Sequence, residues 1–302
     1  MSTEGSMRAI IAALLANTGI AITKFIAAAI SGSAAMFAEG IHSLADTGNQ
    51  ILLLIGGKRA RRSATAAHPF GYGRSRYIYA FMVSIVLFSV GGLFSMLEGI
   101  DKLQHPHELN QVWIPLTVLS VAIVLETLSL RTALVEAKKI RGNTSLVKYI
   151  RHAKSPELPV ILLEDMAALA GLVFAFAGVG LTALTHNPIW DAIGTVAIGA
   201  LLIAVAVILG IETSSLLVGE GANADDTKKI RSALETTKGI DSVIHMKTLY
   251  LGPEELMVGA KIAVPAGVSS GDIAAAINAA EAAIRGQVPA ARVIYLEPDI
   301  KN

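Results

Sequence analysis

The sequence predicts a polytopic α-helical membrane protein, six transmembrane helices followed by a C-terminal cytoplasmic α+β domain. Hydrophobic residues fill 53% of the 302 positions and charged residues only 16%, against about 25% charged in a soluble domain. Six stretches approach the roughly 20 apolar residues that cross a hydrocarbon core about 30 Å thick. Near residue 218 the apolar character stops and shorter patterns replace it. The expected division is therefore 1–217 for a six-helix membrane domain and 218–302 for the α+β domain.

The six stretches lie at about 8–30, 33–57, 75–100, 111–136, 157–184 and 189–216. Ser31-Gly32-Ser33 reads as a tight turn between the first two, and Thr185-His186-Asn187-Pro188 joins the last two. The second stretch holds Glu39, His42, Asp46 and Asn49, so it is the least apolar of the six. Lys58, Arg59, Arg61 and Arg62 follow it, with Arg74 and Arg76 before the third. Lys138, Lys139, Arg141, Lys148, Arg151 and Lys154 follow the fourth. The positive-inside bias places these loops and both termini in the cytoplasm. Residues Met1 to Arg8 show no basic n-region with a small-residue cleavage site, so insertion by the spans themselves is expected. An alanine-rich, cysteine-free chain without a presequence suggests a prokaryotic inner membrane.

In the tail, Asn223-Ala224-Asp225-Asp226 offers capping chemistry for a helix running to about Lys238, with Gly239 as its stop. A strand is expected at 242–251, then the turn Gly252-Pro253-Glu254. Leu256, Val258, Ala260 and Ile262 alternate with Met257, Gly259 and Lys261, the period of a strand with one apolar face. A helix at 269–287 and a strand at 292–297 complete an α-β-β-α-β, ferredoxin-like order. A domain of about 85 residues is small, so burial against a second copy is expected.

Composition narrows the chemistry. With no cysteine, disulfides, thiolate metal sites and cysteine nucleophiles are excluded. A net charge of +1 gives no sign of nucleic-acid binding. The informative residues are the ionisable groups inside apolar runs, each of which costs about 2.5–3.5 kcal/mol on insertion scales unless it meets protein, water or an ion. His42 and Asp46 are four apart and share one helix face. Glu164 and Asp165, in the fifth stretch, diverge by about 100° around a helix, so only one is expected to point straight at a ligand. Imidazole with carboxylates is ligand chemistry for a divalent cation. An intrahelical hydrogen bond between His42 and Asp46 is the bland alternative. Four-coordination by His42, Asp46, Asp165 and Glu164 requires helix distortion, or else a water in one position.

Other intrusions have ordinary readings beside them. Lys24 either snorkels or pairs with an acid, and Glu126 is either a gate or a neighbour of an aqueous crevice. Asn17 and Asn49 read as interhelical hydrogen-bond partners, and Asp191 as a helix cap. His105 and His107 flank Pro106 in an outer loop, a solvated pair or a capture site. Gly71-Tyr72-Gly73 lacks the Thr-Val of a potassium filter.

Taken together, three segments resemble the cation diffusion facilitators, exporters of divalent metals that include zinc transporters. They are Glu39-Gly40-Ile41-His42-Ser43-Leu44-Ala45-Asp46, the stretch His68-Pro69-Phe70-Gly71-Tyr72-Gly73-Arg74, and Leu163-Glu164-Asp165-Met166-Ala167-Ala168. The last is most similar to the branch related to the mitochondrial zinc transporter of animals. The resemblance implies proton-coupled efflux of a divalent metal by alternating access in a homodimer, a secondary transporter rather than an enzyme. It implies His42, Asp46 and Asp165 as metal ligands. Where the family pattern has a histidine or aspartate four residues before the last acid, this chain has Ile161, and Glu164 is the expected substitute. His68 and Glu39 are the accessory candidates. The cargo expected is zinc, with cobalt, iron, nickel and manganese fitting in part, and protons are the counter-ion. The tail holds a single histidine, His245, with Asp241, Glu297 and Asp299, so dimerisation is expected of it before metal sensing. A non-transporting membrane metal sensor or scaffold needs the same ligands and is the alternative. An intramembrane aspartyl protease using Asp46 and Asp165 fits less well, because the Gly-x-Gly-Asp setting is absent.

Overall fold

The computed structural model describes the backbone of residues 3–106 and 108–300, and the side chains from Asn17 onward. Met1 to Arg8 as a leader, and His107 as a capture residue, lie outside the described side chains. Contacts divide the chain into two units: residues 1–56 with 79–213, and residues 57–78 with 214–302. The segment 57–78 thus groups with the tail.

The first unit is helical. Helix α1 (Thr3–Ser31) and α2 (Ala34–Ala60) are followed by α3 (Ser75–Val86), a π-helical stretch (Leu87–Leu93) and α4 (Phe94–Gln104). Then come α5 (Trp113–Arg141), α6 (Leu146–His152), α7 (Glu157–Thr185) and α8 (Ile189–Val218). Four stretches are long and apolar enough to cross a membrane: Ser75–Gln104, α5, α7 and α8. The protein is therefore an integral, multi-pass membrane protein, and four is the span count that length and composition establish among the described residues. Within α1 the described apolar segment is Asn17–Ser31, short for a span. Helix α2 has the length, but Glu39, His42, Asp46, Lys58 and Arg59 dilute its apolar character.

The expected third span is not a regular helix. Leu87–Leu93 is π-helical, and the Phe94 N–H reaches both Gly91 O and Ser89 O. Such a turn inserts a residue into the helical ladder and shifts the face presented beyond it. Past it, α4 closes on α8 backbone to backbone: a Cβ on Gly199 would stand 2.6 Å from Met96 N. The core of the unit is apolar and fully buried, with Met36, Leu87, Leu119, Leu172, Ile198 and Leu202 at its centre.

Two local features depart from the sequence reading. Asp191 opens α8 but caps α2: it accepts from Ser33 Oγ at 2.6 Å and from the Ala34 N–H at 2.7 Å. Orphan N–H groups at a helix start need such acceptors, and here another helix supplies them. The basic run after α5 contains the short helix α6. Ser145 caps it by accepting from the Lys148 N–H, and Leu146 and Tyr149 pack on a cluster of Ala133, Ala137 and Leu162.

The second unit carries α9 (Ala224–Glu235), β1 (Ser242–Gly252), β2 (Glu255–Ala263), α10 (Ser270–Gln287) and β3 (Ala291–Asp299). The sheet order is β1-β2-β3, with β1 antiparallel and β3 parallel to β2. Leu256, Val258, Ala260 and Ile262 are buried in one core with Ile230, Leu234 and Ile284 of the two helices, as their alternation predicts. Asn223 and Ser269 cap the helices. Helix α9 stops at Glu235, short of Lys238. Thr236 and Thr237 turn their hydroxyls back onto the Ser232 and Ala233 carbonyls, the local competition that makes threonine a poor helix continuation. On the opposite sheet face Lys261 pairs with Asp299 at 2.8 Å and Glu297 at 3.4 Å.

Candidate functional site

In the first unit, α2 presents its polar residues in a stripe. Glu39, His42, Asp46 and Asn49 recur at intervals of three or four, the spacing of one helix face. His42 is 1% exposed. Its Nδ1 stands 3.6 Å from Asp46 Oδ1, an ion-pair separation too long for a hydrogen bond. Both ring nitrogens and Asp46 Oδ1 are buried without a hydrogen bond among the described residues. Unsatisfied buried polar groups are rare in native proteins and ask for an explanation.

Glu39 has a partner already. Lys24 of α1, itself buried, donates to Glu39 Oε2 at 2.9 Å and to Ser43 Oγ at 2.8 Å. Lys24 therefore pairs with an acid rather than snorkelling. The other Glu39 oxygen faces Gly171 of α7, where a Cβ would stand 2.6 Å from it. Glycine at 171 is what lets α7 pass over this carboxylate.

The adjacent acids of α7 address different neighbours. Glu164, 5% exposed, accepts from Asn49 Nδ2 of α2 at 2.6 Å. Asp165 accepts from Ser129 Oγ of α5 at 3.2 Å. Their divergence is as expected, yet both border one cavity of about 260 Å³. Asp46, Glu126, Gln50 and Lys24 line it as well, with Asn17 and Ile161. His42 is not in the lining; it adjoins through Asp46, one turn along α2. Asn49 is an interhelical hydrogen-bond partner. Glu126, read from sequence as a gate or a neighbour of an aqueous crevice, borders the cavity, whereas Ser129 and Gln50 were not singled out by sequence. The i, i+3 spacing of Glu126 and Ser129 was the available signal. The carboxylates border the cavity without converging: among the described residues, no three His, Cys, Asp or Glu side chains are drawn together at metal-holding geometry.

His68 belongs to the second unit. Thr65 and His68 pair across a tight loop, and the His68 ring lies 4.5 Å from that of Tyr72. His105 stands 3.4 Å from Asp101 on the exposed end of α4. In the tail, Glu297 and Asp299 are taken up by Lys261. Asp299 is held below the usual carboxylate range, first by the Lys261 hydrogen bond and then by the Ile300 N–H. Asp299 first, and then Glu297, raise the Lys261 ammonium.

Comparison with known proteins follows the same lines. The cation efflux transmembrane domain family matches residues 10–218. The mitochondrial proton-coupled zinc antiporter SLC30A9 of Xenopus laevis is 31% identical over 264 residues, 87% of this chain and 47% of that protein. Metal tolerance protein C4 of Arabidopsis thaliana is 29% identical over 264 residues, 87% of this chain and 58% of that protein. Magnetosome protein MamM of Paramagnetospirillum magneticum is 23% identical over 250 residues, 80% of this chain and 72% of that protein. Among solved structures, a nickel form of a MamM CTD variant covers 26% of this chain and all of its own, at 19% identity and a TM-score of 0.25. The chain spans about half the length of the zinc antiporters it matches. Matched over most of its membrane part by one family and over 87% of its length by a relative 31% identical, the chain belongs to the cation efflux family, the cation diffusion facilitators.

Proposed function

We propose that the chain exchanges a divalent metal cation for protons across a membrane, with zinc the first cargo its donors suit. The observation that carries this reading is the cavity of the first unit, which Asp46 of α2 borders together with Glu164 and Asp165 of α7. His42 extends that acidic wall with an imidazole that has no hydrogen bond among the described residues. Deep ionisable groups of this kind mark ion pathways in membranes. His42, Asp46 and Asp165 are the proposed ligands, with Glu164 the substitute for the fourth. Cobalt, iron, nickel and manganese remain partial fits to imidazole and carboxylate.

Coupling follows from ligand chemistry. A cation binds neutral imidazole and ionised carboxylate, so loading expels protons and protonation expels the cation. A site exposed alternately to two sides then moves the two species in opposite directions. The reading includes α1 and α2 as the remaining two spans, both termini in the cytoplasm of a prokaryotic inner membrane, and a homodimer joined through the tail. Sites His68 and Glu39 are accessory at most, since Glu39 already holds Lys24.

Proteoliposomes carrying a pH-sensitive dye test the proposal. An imposed zinc gradient should drive protons the opposite way, and Asp46→Ala with Asp165→Ala should abolish the exchange. Undiminished flux in that double variant would sink the site. Zinc binding without flux in the unaltered protein would favour the sensor.

A further inference from the structure

We infer that Glu126 of α5 is a direct ligand of the transported cation, completing a set with His42, Asp46 and Asp165. The inference rests on the proposed transport reading and gives Glu126 the fourth position that reading fills with Glu164.

Position supports it first. Helix α5 packs along α7 and against α1. Ser129 of α5 donates to Asp165 at 3.2 Å, so the face of α5 turned to α7 is known from a contact. Glu126 lies one turn back on that face, at i−3, and borders the same cavity as Asp46, Glu164 and Asp165.

Charge supports it second. Glu126 makes no hydrogen bond or ion pair among the described residues, although it lies in an apolar helix. The ammonium on the cavity wall, Lys24, is committed to Glu39 and Ser43. A carboxylate in such surroundings calls for a cation or water. The buried, unpartnered nitrogens of His42 and the free Asn49 Oδ1 point the same way. Neither lines the cavity; His42 stands behind Asp46 and Asn49 behind Glu164, both of which do.

Ligand count supports it third. Ile161, one turn before Asp165, lines the cavity and has no donor atom. Glu164 is engaged by Asn49 at 2.6 Å. His42, Asp46 and Asp165 alone leave a tetrahedral cation one ligand short. Glu126, with three rotatable bonds, supplies the missing oxygen from a different helix.

The test compares unaltered protein, Glu126→Gln, Glu126→Asp and Asp165→Asn, each purified in detergent and checked for monodispersity. Equilibrium zinc binding and the visible spectrum of the cobalt(II)-loaded protein are both read. Glu126→Gln should weaken zinc at least about tenfold, the lower end of what losing even an outer-shell partner does. It should also shift the cobalt(II) ligand-field bands. Glu126→Asp should retain carboxylate-type bands with intermediate affinity. If Glu126→Gln binds zinc normally with an unchanged cobalt spectrum while Asp165→Asn loses both, Glu126 is no ligand and the transport site stands. If the unaltered protein and Asp165→Asn behave alike, both readings fall.

Discussion

Lys24 and Glu39 are two full charges packed between α1, α2 and α7, each nearly inaccessible to solvent. Removing one partner of such a pair strands the other, a loss of about 3–5 kcal/mol, whereas replacing both with neutral groups is far milder. Lys24→Met should therefore lower the melting point in detergent more than the double variant Lys24→Met/Glu39→Gln. Equal loss in the two would show that the pair is not what holds this corner. Asp191 sits at a second buried corner, where one carboxylate serves Ser33, Ala34 and Ala35 at once. Asp191→Ala should cost on the order of 1–2 kcal/mol, the range for a lost helix cap, visible as a lower melting point. The stripe on α2 was legible in the sequence because i, i+4 spacing alone puts His42 and Asp46 on one face. What Lys24, Glu164 and Asp191 touch was not legible. Each contact joins separate helices, and helical period says which way a residue faces along its own axis, never which neighbour meets it.

At the scale of elements, the close crossing of α4 and α8 depends on absent side chains. Gly199→Val would drive a methyl group into the Met96 backbone, which cannot swing aside. Loss of the monodisperse peak on size exclusion is the expected result. Gly48→Ala, by contrast, meets nothing within 4 Å and should raise the melting point, alanine being better than glycine in a helix by about 1 kcal/mol. The α-β-β-α-β order of the tail was readable because strand alternation and capping residues are local signals. Helix α6 was hidden by its charges: Lys148 and Arg151 mark a basic loop, while the apolar contacts of Leu146 and Tyr149 lie on α5 and α7. The π-helical stretch was equally silent, since Leu87–Leu93 is as apolar as any span and its register change is a matter of packing.

At the scale of the molecule, the tail carries a pH-dependent contact and the membrane unit a mechanical one. In the tail, Asp299 has a depressed pKa and Lys261 a raised one. The carboxylate's contribution is whole above its unfolded value, near pH 4, and fades as pH falls through the lower folded value. The ammonium's contribution is whole below its unfolded value, near pH 10, and fades above its raised folded one. Lys261→Met should thus lower the tail's melting point near neutral pH, and the difference should vanish in strong acid. A difference that persists there would mean that Lys261 acts through packing alone. The membrane unit carries its consequence in the Asp191 cap. That carboxylate pins the first residues of α2 to the start of α8. Ser33 and Asp46 are 13 residues apart, about 20 Å of helix. A tilt of about 10° about the pinned end leaves the cap intact and carries Asp46 roughly 3 Å. Helix α2 is in that respect a lever: a fulcrum at Asp191, and a sweep of roughly 3 Å, by the same arithmetic, where the imidazole and carboxylates sit.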